Sequence, residues 1–221
     1  MSDDARASSQ PSFWNPQYAT HDHLFGTDPS AFVVEEAHRL PPNCDVVEVG
    51  AGEGRTLAWL CAEHGHRGTA VDFSEAALRT ADAWAKREDV ILDTIEADVR
   101  SWSPERQWDV AIVTFLQLLP DERPGLYRLL RTIVRPGGWI LGEWFRPAHL
   151  TDEAYDRIGP SRGDRMVPPE EVRRAFPEEA IVRCDPVDVS LNEGPLLNGQ
   201  AAVVRLVAQR RNPVSSYAAD D

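Results

Sequence analysis

Two rhythms of apolar residues alternate between residues 28 and 145. Short β-rich runs, CDVVEV (44–49), TAVD (69–72), VILDTIEAD (90–98), WDVAIVTF (108–115) and WILGEWF (139–145), predict five strands. Between them, residues 31–40, 55–65, 74–87 and 122–134 place apolar side chains at helical spacing. The punctuation agrees: Asp28 and Ser74 are predicted N-caps, Pro29 a first helical residue, and Gly65 a helix stop. Pro41-Pro42 ends the first helix, and Arg135-Pro136-Gly137-Gly138 predicts a turn before the fifth strand. Strands alternating with helices across short turns predict a parallel sheet covered on both faces.

The last third changes character. Residues 146–169 are rich in Pro, Gly and charge, residues 168–176 predict a short helix, and 180–191 and 199–210 predict two strands around the turn NEGPLLN. The expected fold class is therefore α/β: a doubly wound, mainly parallel seven-stranded sheet with an antiparallel C-terminal hairpin. The expected organisation is a disordered N-terminus over 1–12, one domain over 13–209, and a flexible acidic tail over 210–221. Within the domain, 13–30 is expected to form a lid and 146–169 a substrate loop.

Charge narrows the partners. The 221 residues carry 36 acids against 23 Lys and Arg, a net charge of −13, which opposes a general nucleic-acid binder. No apolar stretch reaches the roughly 20 residues of a membrane span, and the first residues lack the apolar core of a signal peptide. Cys44, Cys61 and Cys184 form no C-x-x-C pair, so neither a metal site nor a disulfide framework is expected. A cytoplasmic monomer or homodimer fits.

The chemistry concentrates after the first strand, at Glu48-Val49-Gly50-Ala51-Gly52-Glu53-Gly54-Arg55. The first strand-to-helix turn of an open α/β sheet is the usual nucleoside cradle. A phosphate-binding loop would end in Gly-Lys-Ser/Thr, and a dinucleotide turn would place Gly or Ala where Arg55 stands. An acid just before the turn repels a pyrophosphate but suits a ligand with a positive end, such as the α-amino group and sulfonium of S-adenosylmethionine. Asp72 closes the second strand, where an acid can accept ribose hydroxyls, and Asp98 closes the third, within reach of an adenine amine.

Together VVEVGAGEGR, AVDFSEAAL, EADV, WDVAIVTFLQLLP and RPGGWILGEWF resemble the successive motifs of class I S-adenosylmethionine-dependent methyltransferases. The resemblance implies a Rossmann-like methyltransferase fold with S-adenosylmethionine as cofactor and S-adenosylhomocysteine as product. It assigns Glu48, Gly50, Ala51, Gly52 and Gly54 to the methionine portion, Asp72 with Phe73 to the ribose, Asp98 with Val99 to the adenine, and Thr114 with Phe115 to the reactive side.

Residues 13–35 and NEGPLLNGQAAVVRLVA further resemble the tellurite-resistance and small thiol methyltransferase branch. There the segment Phe25-Gly26-Thr27-Asp28-Pro29 is implied to help cover the cofactor. Asn192 and Gln200 stand where that branch commonly has His and Arg, a departure that weakens an oxyanion acceptor such as tellurite. The implied acceptor is a small molecule, with a thiol or other soft nucleophile favoured. The alternatives are O- or N-methylation of a secondary metabolite and a non-catalytic cofactor-binding protein. Trp14, Tyr18, Phe25, Trp144 and Arg146 are the candidate acceptor contacts, and His149 and His21 the candidate catalytic residues.

Overall fold

A computed structural model describes residues 3–21 and 23–212 of the chain. Its centre is one seven-stranded sheet in the order β3-β2-β1-β4-β5-β7-β6. The strands are β1 (Asp45–Val49), β2 (Arg67–Asp72), β3 (Leu92–Glu96), β4 (Trp108–Thr114), β5 (Val134–Phe145), β6 (Ala180–Asn192) and β7 (Asn198–Gln209). The first five run parallel, and β7 lies antiparallel between β5 and β6. This is the expected mixed sheet. The strands of its centre are buried throughout, as in β1, because helices cover both faces.

The helices are α1 (Pro11–Thr20), α2 (Ala31–Glu36), α3 (Arg55–His64), α4 (Glu75–Glu88), α5 (Arg123–Ile133), α6 (Ala148–Thr151) and α7 (Pro169–Ala175). Local chemistry sets their ends. Ser74 caps α4 by accepting the Ala77 N–H, and Gly65 closes α3 in a left-handed turn at φ +67°. Trp108, Leu126, Leu130, Ile133 and Trp144 fill one face of the sheet, and Phe32, Leu57, Leu60 and Ile112 the other.

Residues 3–9 form 3₁₀ turns that lead into α1, and Ser9 is buried. Two expectations need correction. The N-cap of α2 is Ser30, not Asp28, and the Ala31 N–H is capped by the Glu193 carboxylate from the far end of the chain. Arg135-Pro136-Gly137-Gly138 belongs to β5, whose pairing with β4 shifts register there. Of the acidic tail, residues 213–221 lie outside the described residues.

Candidate active site

The sheet's strand order reverses between β1 and β4, and a cavity of about 560 Å³ opens at the carboxyl ends of the strands there. Its floor is the turn between β1 and α3. Gly50, Gly52 and Gly54 all adopt positive φ, at +72°, +54° and +72°, which L side chains rarely tolerate. A Cβ on Gly52 would lie 2.9 Å from the Tyr18 hydroxyl, so the turn's backbone is exposed to the cavity only because no side chain grows from it. Gly54 plays another part. It does not line the cavity, and its bare Cα lets α3 pack against Ala81 of α4.

Glu48 ends beneath this turn, almost wholly buried. The Thr114 hydroxyl donates to Oε1 at 3.4 Å, while Oε2 is buried without a hydrogen-bond partner. Burial pushes the Glu48 carboxyl up to about 8, against the pull of nearby Arg55. Asp72 is also buried, and accepts the Gly52 and Ser74 N–H groups at 2.9 Å each. Burial raises its pKa in spite of those donors. Two buried carboxyls, that of Glu48 with one oxygen unpartnered, favour a ligand that brings cationic and hydroxyl donors. S-adenosylmethionine has both, an ammonium for Glu48 and ribose hydroxyls for Asp72.

Ala51, Phe73, Asp98, Val99, Thr114 and Phe115 line the same cavity. Arg100 grips the Asp98 carboxylate through Nε at 2.8 and 3.0 Å and through NH2 at 2.6 Å, which holds Asp98 below the usual carboxylate range. Phe115 follows β4 at φ +54°, held by its N–H to the Glu143 carbonyl at 2.8 Å. That left-handed backbone at a bulky residue is strain retained at the cavity wall.

Trp14, Tyr18 and Phe25 meet above the floor, with ring centroids 6.0 to 6.2 Å apart. The segment carrying Phe25 approaches the glycine turn, with His23 Nδ1 4.0 Å from the Glu53 carboxylate. Asn15 ties α1 down, its Oδ1 accepting the Ser74 hydroxyl at 2.7 Å.

Four candidates are not brought to the cavity. Trp144 packs inside the core against Tyr127, on the opposite face of β5 from Phe145, which does line the site. Arg146 pairs with Asp188 and the Tyr155 hydroxyl instead. His149 is buried with both ring nitrogens engaged: Nε2 donates to the Ile158 carbonyl at 2.9 Å, and Nδ1 accepts the Ala202 N–H at 3.4 Å. Those two bonds hold the ring as a latch, and His149 does not line the cavity. His21 is exposed and bonds locally to Thr20 and Gln17, away from the cavity.

Arg162 and Arg165 of the 146–169 segment, the two arginines the sequence offers there as carboxylate contacts, line one wall, and the structure adds Arg157 and Gln117 beside them. Buried Arg165 donates to the Gln117 carbonyl at 2.6 Å and the Ser9 hydroxyl at 2.9 Å. Phe13 and Leu196 form a half-exposed apolar rim.

The strand order with its antiparallel seventh strand, the acid-glycine turn and the acids closing successive strands are those of the Rossmann-like class I methyltransferase fold. A family model described as a methyltransferase domain matches residues 46–138. The chain is 32% identical over 164 residues to trans-aconitate 2-methyltransferase of Escherichia coli O157:H7 (strain EC4115), covering 68% of this chain and 60% of that protein. The Shigella flexneri enzyme of the same name is 31% identical over the same length. The chain thus spans about 60% of the length of these curated relatives.

Among solved structures, Haemophilus influenzae TehB superposes with a TM-score of 0.68 at 17% identity, over 91% of this chain and 67% of that one. Burkholderia thailandensis 1,6-didemethyltoxoflavin-N1-methyltransferase, solved with bound 1,6-didemethyltoxoflavin and S-adenosylhomocysteine, gives 0.68 at 21% identity, over 96% of this chain and 92% of that one. Both likenesses bear on the fold.

Proposed function

We propose that the chain transfers a methyl group from S-adenosylmethionine to a small acceptor that enters the cavity as an anion. One observation carries this reading: among the described residues no histidine lines the cavity, while Arg157, Arg162 and Arg165 do. When bound, S-adenosylmethionine supplies a methyl group activated by its sulfonium. Glu48, the 50–54 turn and Asp72 would hold it, and Trp14, Tyr18 and Phe25 would exclude water from above. An acceptor whose nucleophile is already ionised needs no base, so alignment provides the acceleration.

Two acceptor classes meet that requirement. The arginine wall favours a carboxylate, since guanidinium groups match carboxylate geometry, and the trans-aconitate methyltransferases named above take their name from a polycarboxylate. The thiol class is supported by the aromatic lining of Phe13, Trp14, Phe25 and Phe115, and by a thiol pKa of about 8.5 that leaves thiolate present at neutral pH. The test is S-adenosylhomocysteine release across matched panels of carboxylic acids, thiols, phenols and amines. Turnover of carboxylates or thiols supports the reading. Turnover confined to phenols or amines overturns it.

A further inference from the structure

Arg55, the residue after the glycine turn, lines the cavity and reaches two distant segments. Its guanidinium donates to the Asp28 carbonyl and to the Glu193 carboxylate. Both partners of the ion pair are shielded, the Arg55 side chain 10% and the Glu193 side chain 3% exposed. The second oxygen of Glu193 accepts the Ala31 N–H at the start of α2, at 3.2 Å. Four segments therefore converge on one ion pair: the start of α3, residues 25–29, the start of α2, and the 192–198 turn between β6 and β7.

Backbones close the same junction. A Cβ on Gly26 would lie 2.9 Å from the Gly194 nitrogen, so the covering segment and the hairpin turn touch main chain to main chain. Each of these segments also lends the cavity a wall: Phe25 from one, and Pro195, Leu196 and Leu197 from the other. The glycine turn itself is positioned by Asp72, independently of this junction.

We infer that the Glu193–Arg55 pair is a positioning pair for the acceptor, locking the Phe25 and Leu196–Leu197 walls in register with the cofactor-holding turn. Neither side chain transfers a proton or touches the reacting atoms in this role. Its kinetic consequence rests on the methyl-transfer reading above; its structural consequence does not.

Glu193→Gln is the discriminating variant, because the amide oxygen still caps α2 while the ion pair is lost. It should lower kcat/KM for the acceptor roughly ten- to hundredfold through misplacement of the walls, with S-adenosylhomocysteine affinity by calorimetry close to wild type. Hydrogen exchange with S-adenosylhomocysteine bound should show the Gly26 and Leu197 amides, which donate to His23 and Gly194 carbonyls, losing protection together. Arg55→Gln should release the same two amides and lower kcat/KM for the acceptor, and at those amides the double variant should be no worse than either single one. Equal loss of cofactor affinity and kcat/KM, unchanged protection at those two amides, or additive effects would each overturn the pair's role. If the wild-type protein methylates nothing in the panels, the functional reading falls, and the exchange data still decide the junction.

Discussion

Asp45 and Glu48 stand three residues apart on β1, both buried, and they meet opposite fates. At the amino end of the strand, Asp45 receives Arg67 at 2.8 Å, Arg135 at 3.2 Å and Arg106 at 3.4 Å, while its own N–H donates to Asp109. Burial works against its charge, but the Arg67 and Arg135 hydrogen bonds hold its pKa below the usual value. At the carboxyl end, Glu48 has one weak hydroxyl donor, and burial takes it up to about 8. The sheet thus separates a finished end, whose charges are mutually satisfied, from an end left unsatisfied until a ligand arrives. Satisfied charge signals architecture; unsatisfied buried charge signals work to be done.

The comparison can be attacked at either end. The largest effect is expected from Asp72→Ala, which removes an acceptor worth about 1.5–3 kcal/mol per charge-assisted hydrogen bond. Calorimetry should show cofactor affinity down roughly ten- to hundredfold; unchanged affinity would refute its ribose assignment. Next comes Glu48. If its carboxylate receives the cofactor's ammonium, binding must expel a proton below pH 8, so affinity should fall about tenfold per pH unit on acidification below that point. Glu48→Gln should flatten that profile.

Glu48 also makes a stability prediction of defined sign. Its folded-state pKa lies above its ordinary value of 4.5, so the ligand-free protein holds an extra proton between 4.5 and about 8. Stability from this group is therefore complete below 4.5 and is lost as pH rises toward 8, a slope that Glu48→Gln should remove from thermal unfolding curves. Asp45→Ala is expected to cost about 1–3 kcal/mol of stability, measured by denaturant unfolding, with cofactor affinity unaltered. Smallest of all, His21→Ala should leave kcat within about twofold, given its local bonding and exposed position.

Much of the finished architecture was legible because it rests on local chemistry. Ser74 and Gly65 act within one turn of their own helices, and the buried strands announce themselves as apolar runs. The acids and glycines of the floor were legible because the turn forces them into order along the chain. What escaped depends on partners far away in sequence. Helix α1 lacks a one-sided apolar stripe and carries Pro16, and its anchors are Ser74 and the glycine turn. His149 and Trp144 sit near the end of β5, yet the Ile158 carbonyl and the Tyr127 ring decide where they point. Asp28 had the right side chain for a cap, but a glutamate 165 residues downstream took the position.

The position of β7 bears on how the molecule assembles. It follows β6 in the chain yet lies inside it in the sheet, pairing with β5 on one side and β6 on the other. During synthesis, β6 emerges with no neighbour to join, and the edge of β5 stays open until Asn198–Gln209 is made. Contacts of such long sequence separation are slow to form. A nascent chain halted before residue 198 would expose two unpaired strand edges, an aggregation hazard, and its Glu193-Gly194 turn would have no following strand to hold it against Gly26. Closure of the acceptor wall at Leu196 and Leu197 would therefore report that the last strand has been threaded home.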